Sequence, residues 1–368
     1  MSKKIYIFVL TAAALLTAVL PGCSKTAKPQ AAETRVITDH TGGEIEIPVQ
    51  INRIVIGSLL PLPSVYCLFA GSAEKIVGMN PGSMSAAENS FLPMLFPDIL
   101  NADTGFVENN TVNIEQLLNL EPDVVFYSAT NQQEREAYQA AGIPAVGFST
   151  SIAGFNCIET YAAWISLLGD IFGEEEKARE MIEYGRQTEA RISAKIASVP
   201  ESEKPRVLIL FHYDNGIIKT SGSNFFGQYW IETAGGINVA RDLNGMPQIN
   251  MEQVYAWDPD MIFITNFSPY LPEDLYGNAI AGHDWSTVKA VRNGRVYKFP
   301  LGMYRWYPPS SDTPLSLQWL ACKMQPQLFA DTDMDEVIKS YYARFYNVQL
   351  TDGDLRTIYN PARAASGK

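Results

Sequence analysis

Apolar and polar positions in this chain alternate in units of a short amphipathic stretch followed by a wholly apolar run, and one such unit occurs twice. The stretch NIEQLLNLEPDVVFYS, residues 113–128, returns without a gap as NMEQVYAWDPDMIFIT, residues 250–265. Each copy predicts a short helix feeding a buried strand. Asn113 and Asn250 can cap a helix by accepting from backbone N–H groups two or three residues on. Glu115 and Glu252 then lie in the first turn, where the helix dipole favours a carboxylate. Pro122 and Pro259 stop the helices, and 124–127 and 261–264 read as strands covered on both faces, as in a parallel sheet.

The alternation extends outward from the repeat. Residues 35–47 alternate around Thr41-Gly42-Gly43, a hairpin signal. Apolar strands at 53–57, 76–79 and 144–148 enclose helices at 64–70 and about 132–141. Between 158 and 199 the pattern becomes helical, as one helix to Phe172, a break at Gly173, and a second helix with Ala178, Met181, Ile182, Gly185, Ile192, Ile196 and Val199 near one face. At 1.5 Å per residue the second runs on the order of 35 Å, enough to brace two lobes. A strand at 206–211, a helix at about 224–233 and a turn with a final strand within 292–299 repeat the first half's layout around the second copy. Helices 313–324 and 333–346, the first opened by Asp312 as cap and an early Pro314, are expected to pack on the outside of the lobes.

The predicted fold is α/β, with two similar lobes built on central, mostly parallel sheets and joined by a long α-helix. The division is 1–22 signal peptide, 23–34 flexible tether, 35–151 N-terminal lobe, 152–200 interlobe helices, 201–346 C-terminal lobe with its packing helices, and 347–368 C-terminal tail.

Composition narrows the partners. With 28 basic against 40 acidic residues the formal charge is −12, which disfavours nucleic acid, because phosphate binding needs a basic footprint. Lys3 and Lys4 precede an apolar run, 5–20, shorter than the roughly 20 residues of a spanning helix, so it reads as a signal peptide. Leu20-Pro21-Gly22-Cys23 resembles a bacterial lipobox. That resemblance implies that Cys23 carries lipid and anchors the chain to the cell membrane outside the cytoplasm. The remaining Cys67, Cys157 and Cys322 sit among apolar neighbours and read as free thiols.

Candidate chemistry gathers in loops at strand ends, where open α/β sheets bind ligands. The loop LGMYRWYPPSS, 301–311, sets Tyr304, Arg305, Trp306 and Tyr307 in a row. Arginine pairs with carboxylates and the aromatic rings stack on flat ligands. The same loop could instead close the core against the next helix. His212 and Tyr213 follow strand 206–211, with Phe225 shortly after, and the first lobe offers Asn80 and Asn131 at the corresponding edge. His212 suits either a metal ligand or a plain loop position. No hydrolase elbow, phosphate-cradling glycine loop or His-Glu-x-x-His helix is present. Three scattered histidines argue against a dedicated zinc cage. Neither catalysis nor a resident cofactor is expected.

The lipobox, the opening ITDHTGGEIEIP with Arg53-Ile54-Val55, the duplicated Glu-x-x-x-x-x-Glu/Asp-Pro-Asp cassette and PLSLQWLA from Pro314 together resemble the substrate-binding proteins of ABC importers for iron-siderophore, haem and cobalamin. The resemblance covers nearly the whole mature chain. It implies a monomer of two lobes on a rigid helix, holding one metal chelate in the cleft and delivering it to a permease dimer with its ATPase. It implies further that Glu115 and Glu252 pair with permease arginines. An iron(III)-siderophore ranks first as ligand, with Arg305 meeting its negative charge. Haem ranks second, with Tyr304, Tyr213 or His212 as axial ligand, and cobalamin third. An extracellular enzyme or sensor on the same lobes is the competing class.

Overall fold

The computed structural model describes residues 33–109 and 111–367. The predicted signal peptide and Cys23 lie outside them. The alternating opening forms β1 (Thr34–Thr38) and β2 (Glu44–Pro48), an antiparallel pair. Asp39 closes its turn by accepting from Thr41 and also takes Gly147 N–H at 2.7 Å, tying the hairpin to the first lobe.

In the first lobe β3 (Ile54–Ile56), α1 (Leu62–Ala70), β4 (Ile76–Met79), α2 (Pro81–Glu88), α3 (Ile114–Leu118), β5 (Val124–Ser128), α4 (Gln132–Ala140) and β6 (Ala145–Phe148) follow in turn. The strands make one parallel sheet in the order β4-β3-β5-β6. Such a sheet must be covered on both faces, and only Val77 among its residues is not fully buried.

The chain then crosses on a helix hairpin, α5 (Cys157–Phe172) and α6 (Glu175–Ile196), turned by Gly173 in the left-handed region. Gly169 lets the two helices close, since a Cβ there would stand 2.9 Å from that of Ala178. Glu159 accepts from Arg186 at 2.8 and 2.7 Å across the pair. The pair is partly exposed, so it contributes at most about 1 kcal/mol. α5 packs on α1 of the first lobe.

The second lobe comprises β7 (Arg206–Asp214), β8 (Ile217–Thr220), α7 (Phe226–Thr233), β9 (Ile237–Asn238), β10 (Gln248–Ile249), α8 (Met251–Trp257), β11 (Met261–Ile264), α9 (Pro272–Tyr276) and β12 (Val296–Lys298). It ends with α10 (Thr313–Met324), α11 (Met334–Tyr346) and α12 (Asp352–Tyr359). Its parallel strands run β9-β7-β11-β12, the order of the first lobe, and β8 and β10 extend the sheet antiparallel. α6 packs on α7 and α10. One core cluster runs from Ile54 and Phe126 through Trp164 and Ile192 to Ile209, Phe263 and Trp319, so both lobes share it.

Three expectations change. α10 does not pack on the outside: it has no polar face, every residue from 313 to 321 except Gln318 is buried, and it lies beneath α5, α6 and α7. Asp312 makes no side-chain cap to that helix; its carboxylate turns back to accept from Met303 and Tyr304 N–H. The segment 347–368 is not a plain tail. Thr351 and Asp354 form a capping box that starts α12, and Leu355 and Ile358 bury one face of it.

Candidate functional site

The C-terminal ends of both parallel sheets open on one cavity of about 200 Å3. Ser58 follows β3, Ser128 ends β5 and Thr150 follows β6; across from them stand Phe211 on β7, Phe267 after β11, and Tyr304 and Tyr307 after β12. Leu59, Leu60, Pro61, Trp164, Phe225, Phe226, Pro308 and Pro309 complete the wall. No lining side chain is charged.

The second-lobe wall is an aromatic stack. Phe211 lies 5.5 Å from Phe225, 5.3 Å from Phe267 and 5.3 Å from Tyr307, measured between ring centroids. Tyr307 donates to Ser221 Oγ at 2.7 Å, whereas the buried Tyr304 hydroxyl has no hydrogen-bond partner. Burial raises the pKa of both phenols. The first-lobe wall is polar at one pole. Ser58 Oγ donates to Glu134 Oε2 at 2.8 Å and accepts from Ser128 N–H at 3.1 Å, while Ser128 and Thr130 hydroxyls pair at 3.0 Å. Glu134 is buried, which raises its carboxyl pKa against the lowering effect of the Ser58 hydrogen bonds. Gly57 makes this approach possible: a Cβ there would lie 2.9 Å from Tyr138 Oη and 3.0 Å from Glu134 Oε2.

Of the residues singled out from sequence, Tyr304, Tyr307 and Phe225 line the cavity. Arg305 does not: it is buried beside the wall, its guanidinium carbon 4.5 Å from the Phe267 ring centroid, and it donates to Ala365 O at 2.8 and 3.3 Å. Trp306 is buried against Trp319, away from the lining. Tyr213 is also elsewhere. Lys219 pairs with His212 and Thr220 with Leu210, leaving Phe211 as the extra residue of a bulge. The bulge reverses the alternation, so Phe211 meets the cavity. Tyr213 turns to the outer cluster, where its hydroxyl meets His283 Nδ1 at 2.5 Å and Trp285 Nε1 at 3.1 Å. His212 stays half-buried on β7 outside the lining. Asn80 and Asn131 cap α2 and α4, accepting from Gly82 and Glu134 N–H. Ser58, Thr150 and Trp164 carried no motif, and Ser128 closes the duplicated stretch only as the end of its strand; position at strand or helix ends is the signal that could have marked them.

A larger groove of about 900 Å3 lies on the second lobe between α9, β12, α10 and α12. Size would select it, but one lobe alone lines it. The smaller cavity is the candidate site because it gathers strand ends from both sheets, where this sheet type binds ligands. Among the described residues no group of three or more His, Cys, Asp or Glu could hold a metal ion, and no helix is long and apolar enough to cross a membrane.

Glu115 and Glu252 occupy matching places. Asn113 Oδ1 accepts from Glu115 and Gln116 N–H and Asn250 Oδ1 from Gln253 N–H, so each glutamate stands exposed in a first turn, without an ion pair among the described residues.

Two lobes whose parallel strands share one order, set on a helix hairpin and closing on one cavity, have the architecture of a substrate-binding protein. The Periplasmic binding protein family model matches residues 57–301, and the chain belongs to that family. A periplasmic solute-binding protein from Veillonella parvula is 35% identical with a TM-score of 0.80, over 89% of this chain and 97% of that one. The molybdate-binding protein MolA of Haemophilus influenzae is 27% identical over 90% of this chain and 93% of its own length. The ABC transporter substrate-binding lipoprotein YvrC of Bacillus subtilis is 24% identical over 78% and 87%. Further relatives are named for cobalamin, Fe(3+)-citrate and haem. The chain is therefore an extracytoplasmic substrate-binding component of an ABC importer, and the enzyme alternative is set aside.

Proposed function

We propose that the chain captures an organic chelate of iron(III) between its lobes and hands it, as a monomer tethered through lipid on Cys23, to a permease dimer. The aromatic wall of Phe211, Phe225, Phe267 and Tyr307 carries this reading, because it offers a broad apolar face to an organic ligand and little to a bare ion. A chelate needs more room than about 200 Å3, so the lobes part to admit it. Glu115 and Glu252, one per lobe and both exposed, are the docking carboxylates for permease arginines. Haem is the second reading. The buried, unpartnered Tyr304 hydroxyl favours it as an axial ligand. Titrating the purified protein with ferric siderophores, hemin, cobalamin and molybdate, followed by tryptophan quenching and visible spectra, tests both. An iron-siderophore isotherm is expected; a Soret shift selects haem, and saturation by molybdate alone defeats the proposal.

A further inference from the structure

The polar pole of the cavity carries a direction as well as a polarity. A hydroxyl has one proton and two lone-pair sites. Ser58 gives its proton to Glu134 Oε2 and spends one lone pair on Ser128 N–H. What it has left for a ligand is one acceptor site and no donor. Glu134 is held in that role from several sides. Its backbone N–H is capped by Asn131, its Oε2 also lies 3.3 Å from Ser58 N, and Tyr138 and Gly57 close over it. The same Oε2 accepts from both the Ser58 N–H and the Ser58 hydroxyl, which holds the serine proton toward Glu134.

No lining side chain carries positive charge, and the donors that face the cavity from the second lobe, the Tyr304 hydroxyl and the Arg305 guanidinium behind the Phe267 ring, stand across from this pole. Arg305, beside Phe267 and Tyr304, spends Nε and Nη2 on Ala365 O. An anionic group placed at this pole would meet a serine lone pair with a carboxylate behind it. A hydroxyl, amide N–H or ammonium would meet an acceptor already oriented.

We propose that Glu134 is a positioning residue that fixes Ser58 as an acceptor, so that the first-lobe pole of the cleft takes an N–H or O–H donor of the ligand and favours donor-bearing chelates over oxyanions that lack one. This rests on the ligand-binding reading of the same cleft and names its substrate class. It also separates this chain from a binder of a free oxyanion.

Isothermal titration of the intact protein with four probes tests it: ferrioxamine B (a cationic iron(III) hydroxamate), cyanocobalamin (neutral, with carboxamide donors), ferric citrate and molybdate (both anionic). Wild type should bind a donor-bearing probe at least about tenfold more tightly than either anion, the discrimination one charge-assisted hydrogen bond can supply. In Glu134→Gln the amide can donate to Ser58 and release its proton toward the cavity, so that ratio should fall about tenfold, with anion affinity rising. Ser58→Ala should lower the ratio without any gain in anion affinity, and it carries the test if Glu134→Gln does not fold. A tie between β3 and α4 that served stability alone would lower the melting temperature and leave the ratio unchanged. Tighter binding of ferric citrate or molybdate by wild type, binding of neither donor-bearing probe, or an unchanged ratio in both variants overturns the proposal. Binding of cyanocobalamin without either iron chelate upholds it and defeats the iron reading. Ferric citrate as the tightest probe does the reverse.

Discussion

In the first lobe the strand ends deliver Ser58, Ser128 and Thr150, small hydroxyls backed by a buried carboxylate; in the second the same strand positions deliver Phe211, Phe267, Tyr304 and Tyr307. The sheets behind them share one order, β4-β3-β5-β6 matching β9-β7-β11-β12. A duplicated scaffold therefore carries an unduplicated site. Parallel strands need buried apolar side chains along their length, which constrains the repeat, whereas the residues just past each strand are free to differ. On the outer surface the duplication persists: Asn113 with Glu115 and Asn250 with Glu252 keep the same cap and the same exposed carboxylate. The cavity has two unlike walls, whereas the surface carries two like carboxylates.

The largest expected effect tests the symmetric half of that contrast. Glu115→Arg with Glu252→Arg should abolish uptake in cells while ligand affinity of the purified protein stays within about twofold, because both are exposed and neither lines the cavity. Normal uptake would remove the matched glutamates from docking. The asymmetric half is tested next. Phe225→Ala with Phe267→Ala should weaken chelate binding by more than about tenfold, as loss of buried aromatic contacts does, whereas Leu59→Ala in the first lobe should cost about threefold. Equal losses from both walls would erase the distinction.

A smaller effect separates wall from support. Arg305→Ala should leave affinity within about threefold but lower stability by about 2 kcal/mol, since it removes the charged donor to Ala365 O. An affinity collapse at unchanged melting temperature would return Arg305 to the site. The smallest is a slope. Burial pushes the Asp312 carboxyl up to about 7. The folded state then binds its proton more tightly than the unfolded chain, so the associated stability is full below about pH 4 and lost as pH rises through about 7. Asp312→Asn keeps an acceptor for Met303 and Tyr304 N–H and should flatten the melting profile between those values; an unchanged slope would contradict the assignment.

Much of the architecture was legible because it is periodic. The repeat, the buried strands, the break at Gly173 and the Asn caps are written as runs, spacings and proline stops, and strand after strand lies where its apolar run does. The site was legible only at Tyr304, Tyr307 and Phe225. A bulge that exchanges Phe211 for Tyr213 leaves no mark in an apolar strand, since either residue fits a buried face. Arg305 read as a ligand cation because its partner, the Ala365 carbonyl, lies 60 residues on and is backbone. Ser58 and Glu134 are 76 residues apart, and neither belongs to the duplicated stretch, so only the closing of β3 against α4 brings them together.

Hydrogen exchange, with and without a saturating chelate, addresses the central claim that both lobes hold one ligand between unlike walls. Protection is predicted in both sets of segments at once, at 57–61 and 128–130 in the first lobe and at 211, 225–226, 267 and 304–307 in the second. Protection confined to 271–276, 296–298 and 359–362, the larger groove of the second lobe, would contradict it.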